Sequence, residues 1–163
     1  MPDDGRIKGL SRLATVSDQR SRVQVISQCA AICVRQKLDS PESLEILLIT
    51  SRDSGRWVIP KGWAIPKKRP HKVAALEAWE EAGVRGRVKK NSAGYYTYAK
   101  VLKNGERFPI VVQVHLLQVT ELIDEYPESG QRELRWFSPQ DAAAAVDEPE
   151  LKALLRNTCY ESD

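Results

Sequence analysis

The chain has few of the residues that build disulfide frameworks or metal–sulfur sites. Among 163 residues it contains three cysteines, Cys29, Cys33 and Cys159, and two histidines, His71 and His115. The cysteines are odd in number and lack the spacing of a zinc site, so we expect free thiols. Cys29 and Cys33 lie four apart in a β-rich segment and should face the same side of a strand. Each histidine is isolated in the sequence, which favours a structural role over metal ligation.

Long apolar runs and a strong net charge are also missing. Nothing resembles an apolar span of about 20 residues or a secretory leader, so we expect a cytoplasmic protein without a membrane partner. The formal net charge is only +3, and no broad basic surface is indicated, which makes nucleic acid an unlikely partner. The length and a hydrophobic content of 42% suit one domain. We predict a loosely ordered N-terminal arm at residues 1–22, one domain at residues 23–157 and a tail at residues 158–163.

Hydrophobic periodicity predicts strands and helices mixed within that domain. The expected strands are residues 23–35, 44–50, 56–60, 84–88, 95–102, 107–119 and 134–137. The expected helices are residues 71–82, 139–146 and 149–157. Asn104-Gly105 stands between two β-rich runs and is a strong hairpin signal. This order predicts an α+β fold in which a mixed β-sheet is flanked by helices on opposite faces.

The segment EAWEEAGV carries the most informative pattern. Glu77, Glu80 and Glu81 share one side of the predicted helix, because residues three and four apart lie on the same face. Like charges at this spacing destabilise a helix, and a hard divalent cation would remove that cost. The plain alternative is a solvated acidic helix face. Gly83 stands where a helix ends in a left-handed residue. The expected apolar contacts of the helix are Val73, Leu76 and Trp79.

Residues 62–84 resemble the Nudix box, the pattern G-x5-E-x7-R-E-U-x-E-E-x-G-U, in which U is a bulky aliphatic residue. The residues that match the pattern are, in order, Gly62, Glu77, Glu80, Glu81, Gly83 and Val84. The preceding segment WVIPKG and the later segment LRWF, followed by an alanine-rich stretch, are also similar to Nudix domains. The resemblance covers about residues 23–157 and implies an α/β/α sandwich whose catalytic helix packs against a mixed sheet.

The chain departs from the pattern at three positions. Lys68 stands at the early glutamate, Leu76 at the arginine and Ala78 at the aliphatic position between the glutamates. In the family the early glutamate and the arginine pair by charge and help to hold the loop and the helix together. Their replacement bears on loop rigidity and activity, whereas the matching glutamates remain in place.

The resemblance implies a metal-dependent hydrolase that cleaves a phosphoanhydride bond. Glu77, Glu80 and Glu81 are the candidate catalytic residues. Together with the backbone carbonyl of Gly62 they are also the candidate ligands of Mg²⁺ or Mn²⁺. A bound divalent cation neutralises phosphate charge and lowers the pKa of a bound water. The general base comes either from the clustered glutamates or from a later loop, where Glu128 and Glu133 are candidates.

Cations beside the acidic segment suit a small-molecule polyphosphate substrate, although exposed lysines also serve solubility alone. The candidate substrate-binding residues are Ser51, Arg52, Arg56, Lys61, Lys67, Lys68 and Arg69. Guanidinium groups bind phosphate oxygens in pairs, and Arg132 and Arg135 could serve equally well.

The stretch TSRDSGRWVIPKG resembles the diphosphoinositol polyphosphate phosphohydrolase branch of the family, whose related members cleave dinucleoside polyphosphates. The front of the first strand reads Ile26-Ser27-Gln28, where the inositol branch has lysine and arginine. Candidate side chains for stacking a nucleobase are Trp63, Tyr95, Tyr96 and Tyr98. The alternative function is a catalytically weakened module that binds a phosphorylated ligand or a protein, and apolar strand faces leave a homodimer possible.

Overall fold

The computed structural model describes residues 26–159, which build an eight-stranded sheet and three helices. The predicted arm and residues 160–163 of the predicted tail lie outside the described residues. The strands are β1 (Ile26–Lys37), β2 (Ser40–Thr50), β3 (Trp57–Val58), β4 (Lys61–Trp63), β5 (Val84–Val88), β6 (Gly94–Val101), β7 (Arg107–Leu122) and β8 (Leu134–Phe137). The helices are α1 (Pro70–Ala82), α2 (Pro139–Ala145) and α3 (Pro149–Arg156).

The centre of the sheet is the parallel pair of β1 and β7, which runs from Ile26 opposite Ile110 to Val34 opposite Gln118. The main strand order is β3-β2-β1-β7-β5, and β4, β6 and β8 pair with β1, β7 and β2 respectively. All these other pairings are antiparallel. The sheet is therefore mixed and flanked by helices, and the predicted fold class is confirmed.

Strand β1 supplies both faces of the sheet with buried side chains. One face, covered by α2 and α3, receives Ala30, Ile32 and Val34. The other face, covered by α1, receives Cys29, Ala31 and Cys33. Because helices lie on both sides, this strand is apolar at successive positions instead of alternating. The cysteines are free thiols, and Cys29 and Cys33 share the α1 face, as predicted.

The chain between β2 and α1 differs from the prediction of one strand at residues 56–60. Only Trp57–Val58 pairs with β2, and a further strand at Lys61–Trp63 pairs with β1. The N–H of Ala31 donates to the carbonyl of Pro60 at 3.0 Å, which draws the chain towards β1. This crossing depends on a partner strand that is remote in sequence, so local periodicity did not indicate it.

Helix α1 ends at Gly83 with φ = 67°, as predicted. The predicted apolar stripe was wrong at two of its three positions, because Val73 is buried but Leu76 and Trp79 are only half-buried. The residues that turn to the sheet instead are Ala74, Ala78, Glu81 and Ala82. Small side chains let the helix backbone lie close to the sheet, and this face carries Glu81 inwards. None of the helices in the described part of the chain has the length and apolar character needed to cross a membrane.

Candidate active site

A polar cleft of about 270 Å³ opens where the end of β2, strand β4, helix α1 and the loop before β8 meet. Its acidic lining residues are Asp53, Glu77, Glu81 and Glu128. Its basic lining residues are Arg52, Lys61, Lys100 and Arg132. The neutral lining residues are Gln28, Ser51, Gly62, Trp63 and Tyr98. The cleft thus combines oxygen donors that suit a cation with cations that suit an anionic ligand.

Glu81 is buried in this cleft and held through both carboxylate oxygens. The N–H of Lys61 donates to its Oε1 at 2.8 Å, and Nη2 of Arg132 forms an ion pair with its Oε2. Burial raises the pKa of Glu81, although Arg132 and the N–H of Lys61 act in the opposite direction. The side chain is consequently fixed between β4 and the loop before β8.

Arg132 joins Glu81 to two further parts of the cleft. Its Nη1 donates to the carbonyl of Thr50 at 3.1 Å, and its Nη2 lies 3.4 Å from Oε1 of Glu128. The side chain is only 8% exposed. Within the described residues its Nε has no hydrogen-bond partner. One buried guanidinium therefore connects α1, the end of β2 and the loop that carries Glu128.

Glu128 approaches helix α1 through its backbone as well. Its N–H donates to the carbonyl of Glu80 at 3.0 Å, and its Oε1 lies 3.2 Å from Nη1 of Arg52. These contacts place a carboxylate from a distant loop beside the glutamates of α1.

Glu77 lies against Gly62 and is surrounded by other acids. A Cβ at position 62 would stand 2.2 Å from Cδ of Glu77, so the carboxylate occupies the space that any larger residue would need. Burial, together with the charges of Glu81, Glu80 and Glu128, raises the pKa of Glu77 to about 7. Negative charge at this carboxylate is costly without a cation.

Lysines and aromatic rings face each other in the lining of the cleft. Nζ of Lys61 lies 5.3 Å from the ring centroid of Tyr98, and Nζ of Lys100 lies 5.0 Å from that of Trp63. Burial lowers the pKa of Lys61, whereas the charge of Glu81 raises it. The Tyr98 hydroxyl donates to Oε1 of Gln28 at 2.7 Å.

The structure brings together some of the residues that the sequence proposed. Those that line the cleft are Ser51, Arg52, Lys61, Gly62, Glu77 and Glu81. Glu80 is half-buried on α1 and does not line it. Arg56 lies 2.7 Å from Oδ2 of Asp147 and 3.5 Å from Oε1 of Glu148, which ties it to the connection between α2 and α3.

The basic loop before α1 lies outside the cleft lining. Lys67, Lys68 and Arg69 are all exposed there. Lys67 has φ = 65°, and the N–H of Lys68 donates to the carbonyl of Ile65 at 3.1 Å. Their charges can attract an anion towards the cleft but are not among the groups that enclose it.

The candidates left open by the sequence are separated by position. Glu128 and Arg132 line the cleft, whereas Glu133 and Arg135 pair with each other at 2.6 Å on the surface. Among the aromatic candidates, Trp63 and Tyr98 line the cleft. Tyr95 is exposed and does not line the cleft, and Tyr96 is buried in the core, where it cannot stack on a ligand.

Sequence reasoning missed Asp53 and Lys100. Lys100 follows Tyr98 by two residues on β6, and this spacing places both on one face of a strand. Asp53 follows Arg52 directly. The spacing of Tyr98 and Lys100 was visible in the sequence, but its use required knowing that these side chains of β6 meet those of Lys61 and Trp63 on β4.

The match to known families decides the classification. The family model described as NUDIX domain matches residues 28–158. The chain belongs to the NUDIX domain family. The clustered glutamates and Gly62 therefore stand in a NUDIX fold as well as in a NUDIX-like sequence pattern.

Two similar proteins are named as phosphohydrolases. Diphosphoinositol polyphosphate phosphohydrolase 3-beta of Homo sapiens is 30% identical over 118 residues, which are 71% of this chain and 65% of that protein. Diphosphoinositol polyphosphate phosphohydrolase 2 of Rattus norvegicus is also 30% identical, over 71% of this chain and 59% of that protein. The matched segment thus spans less than two thirds of these relatives.

A solved structure shows the same fold at lower identity. The Ap4A hydrolase of C. elegans in a binary complex aligns with a TM-score of 0.58 at 21% identity. The alignment covers 80% of this chain and 93% of that one. This likeness concerns the arrangement of strands and helices alone.

The NUDIX fold implies a divalent metal, and the donor atoms of the cleft fit one. Glu77, Glu81 and the carbonyl of Gly62 offer only oxygen ligands, which Mg²⁺ and Mn²⁺ prefer. Burial and the neighbouring acids Glu81, Glu80 and Glu128 raise the pKa of Glu77, and a cation beside this carboxylate would offset that cost. This set has two carboxylates and one backbone carbonyl, and no three histidine, cysteine, aspartate or glutamate side chains among residues 26–159 form a group that could hold a metal ion by themselves.

Proposed function

We propose that the protein is a metal-dependent hydrolase that cleaves a phosphoanhydride bond in a polyphosphorylated small molecule. The observation that carries this proposal is the cleft in which Glu77 and Glu81 stand beside Lys61, Arg52 and Arg132. Carboxylate oxygens and cations in one polar cleft match the needs of a metal ion and of the phosphate groups that it contacts.

The proposed roles follow from the contacts of each residue. Glu77, Glu81 and the carbonyl of Gly62 hold Mg²⁺ or Mn²⁺, with Glu80 as a further or outer ligand. When bound, the ion supplies charge neutralisation at the phosphate and acidifies a water molecule. Asp53 and Glu128 are the carboxylates of the cleft that come from outside α1. Glu128, whose backbone is hydrogen-bonded to Glu80 of α1, takes the proton of the attacking water.

The cations bind and orient the substrate. Arg52 and Lys61 line the cleft, together with the hydroxyl of Ser51, and they can donate to phosphate oxygens. The exposed Lys67, Lys68 and Arg69 act at longer range by attracting a polyanion to the cleft. Arg56 has a weaker case for substrate contact, because Asp147 and Glu148 already pair with it.

Two substrate classes fit the proposal, an inositol pyrophosphate and a dinucleoside polyphosphate. The named activities of the relatives support the first class, and both classes are dense polyanions. Two features of the cleft favour the second class. Gln28 is neutral, whereas the inositol branch has lysine and arginine at the front of the first strand, and the rings of Trp63 and Tyr98 can stack on a nucleobase.

A hydrolysis panel tests the proposal. Release of phosphate or nucleotide is measured from diadenosine polyphosphates, inositol pyrophosphates, nucleoside triphosphates and sugar nucleotides, with Mg²⁺, with Mn²⁺ and with a chelator. The variants are Glu77→Gln and Glu81→Gln, and the matched control is Glu42→Gln, which removes an exposed carboxylate of β2.

We expect hydrolysis that needs the metal and that falls about 100-fold or more in either cleft variant but not in the control. Turnover that persists with chelator, or equal rates in the cleft variants and the parent protein, would contradict the proposed mechanism.

The second candidate is a weakened NUDIX module that binds a phosphorylated ligand without turnover. It is favoured by the pairing of Glu81 with Arg132 and by the missing three-ligand group among the described side chains. Calorimetry on the same panel separates the two functions, because binding of a polyphosphate without product release in Mg²⁺ or Mn²⁺ supports the module.

A further inference from the structure

We propose that Arg132 is the positioning residue that orients Glu81 for metal binding and turnover, an inference that rests on the proposed function. Arg132 lies 51 residues beyond Glu81 in the sequence and reaches it from the opposite side of the cleft. It also pairs with Glu128 at 3.4 Å, but its effect on metal binding runs through Glu81, and it is not itself the group that contacts the reacting phosphate.

Helix α1 has no cation of its own in the right place. The position of the arginine in the family pattern is Leu76, which is half-buried and uncharged. No basic residue lies in the last turn of the helix, where Glu80 and Glu81 stand. A counter-ion for these carboxylates must therefore come from another element.

Arg132 completes a two-sided hold on the Glu81 carboxylate. Oε1 accepts from the backbone N–H of Lys61, and Oε2 meets the guanidinium of Arg132. A glutamate side chain has several rotatable bonds, and fixing it in one rotamer costs conformational entropy. Because the two donors belong to β4 and to the loop before β8, the rotamer of Glu81 is fixed by parts of the protein that themselves line the cleft.

The guanidinium is anchored independently of Glu81. Its Nη1 donates to the carbonyl of Thr50 at 3.1 Å. Strand β8 pairs with β2 directly beside this point, since Ile49 stands opposite Leu134 and the N–H of Thr50 donates to the carbonyl of Glu133 at 3.0 Å. The sheet therefore determines where Arg132 is placed, and Arg132 determines where Glu81 is placed.

Stability alone does not account for this arginine. A buried ion pair contributes little or no net stability relative to apolar residues of similar size, because both charges lose their hydration. Nε of Arg132 is also buried without a partner among the described residues, which adds a further cost. The contacts match what is needed to orient a carboxylate rather than to maximise stability.

The test uses Arg132→Met, Arg132→Lys, Glu81→Gln and the double variant Arg132→Met/Glu81→Gln. Arg135→Met is the matched control, since it removes a nearby arginine that pairs with Glu133 outside the cleft. Two quantities are measured for each: Mn²⁺ affinity without substrate, by calorimetry, and kcat and KM on the substrate that the parent protein hydrolyses.

We expect Arg132→Met to weaken Mn²⁺ binding and to lower kcat, each by about 10- to 100-fold, with KM changed less than about 3-fold. The direction of the change in Mn²⁺ affinity is informative, because removal of a positive charge alone would tighten cation binding. The double variant should bind Mn²⁺ no more weakly than Glu81→Gln, since Arg132 acts through Glu81. Arg132→Lys keeps the positive charge and should recover part of the lost Mn²⁺ affinity and kcat. The recovery should be incomplete, because lysine lacks the planar fork of donors that arginine has. Arg135→Met should resemble the parent protein.

Three outcomes would overturn the inference. Tighter or unchanged Mn²⁺ binding in Arg132→Met excludes positioning, and a raised KM with unchanged kcat identifies Arg132 as a substrate contact instead. Additive losses of Mn²⁺ affinity in the double variant indicate a general structural role. If Arg132→Met does not fold, Arg132→Lys decides. Mn²⁺ affinity and kcat equal to those of the parent protein in that variant would contradict a need for the planar donors of the guanidinium. Should the parent protein hydrolyse nothing, the proposed function fails while the Mn²⁺ measurements still decide the inference.

Discussion

At the residue scale, Glu77 is a half-buried acid whose nearest charges are mostly other acids. Its pKa is raised from 4.5 to about 7. Between these two pH values the folded protein binds the proton more tightly than the unfolded chain does. The free energy of unfolding of the metal-free protein therefore falls as pH rises from about 4.5 to about 7 and does not change further above that, as far as Glu77 is concerned.

The substitution Glu77→Gln removes the ionisable group and should therefore remove this pH dependence of the free energy of unfolding. We expect the variant to be more stable than the parent at pH 8, by on the order of 2 kcal/mol once solvent screening is allowed for, and to have no such advantage at pH 4.5. Urea unfolding with chelator at both pH values measures the difference. A stability difference that is equal at the two pH values would show that Glu77 does not titrate as described.

Gly62 gives a second prediction at this scale. Gly62→Ala places a Cβ 2.2 Å from the Glu77 carboxylate, which stands at the end of a flexible side chain and can move aside. We expect hydrolysis to fall about 10-fold or more, with thermal stability changed by less than about 1 kcal/mol, because the backbone conformation at position 62 is one that alanine can adopt. If the effect runs through Glu77, Gly62→Ala should cause little additional loss in a Glu77→Gln background. A full additional loss would show a separate role for Gly62.

At the element scale, helix α1 shows which local features the sequence could predict. Both ends were predictable to within one residue, because Gly83 and the helical period are local signals. Its buried face was not, since the choice between Leu76 or Trp79 and the alanines depends on how closely the helix approaches the sheet. Arg85 lies 3.8 Å over the ring of Trp79, which allows that ring to remain half-exposed.

The end of α1 can be tested with a matched pair of glycines. Gly83 and Gly105 both have positive φ, at 67° and 84°, so alanine is strained by about 1 kcal/mol or more at each. A Cβ at Gly83 would also meet the carbonyl oxygen of Ile123 at 2.3 Å, whereas nothing lies within 4 Å at Gly105. Thermal unfolding should show Gly83→Ala less stable than Gly105→Ala by about 1–3 kcal/mol. Equal losses would mean that backbone strain alone limits both positions.

At the scale of the whole molecule, strand pairing decides which residues share the cleft. Glu77 and Glu81 belong to one continuous pattern, so the sequence alone could group them. Arg132 and Glu128 reach them only because β8 pairs with β2, and Gln28 reaches them because β1 pairs with β4. Nothing in local periodicity specifies these pairings. For the same reason the exposed Lys67 and Lys68 looked, in sequence, as close to the site as Lys61, which lines it.

A ligand that binds only the folded molecule stabilises all of it, so the proposed metal site predicts a change in global stability. Mn²⁺ at about 100 times its dissociation constant should add about 2.7 kcal/mol, which corresponds to a rise in Tm of roughly 5–10 °C for a chain of this size. At one fixed Mn²⁺ concentration the rise should be larger at pH 8 than at pH 5, because protons compete for Glu77, whose pKa is about 7. Calorimetric scans with Mn²⁺ and with chelator measure it, and Glu77→Gln/Glu81→Gln is the control in which it should vanish. An equal rise in that variant would mean that the stabilising ion binds away from the cleft, and the assignment of these two carboxylates as ligands would then be wrong.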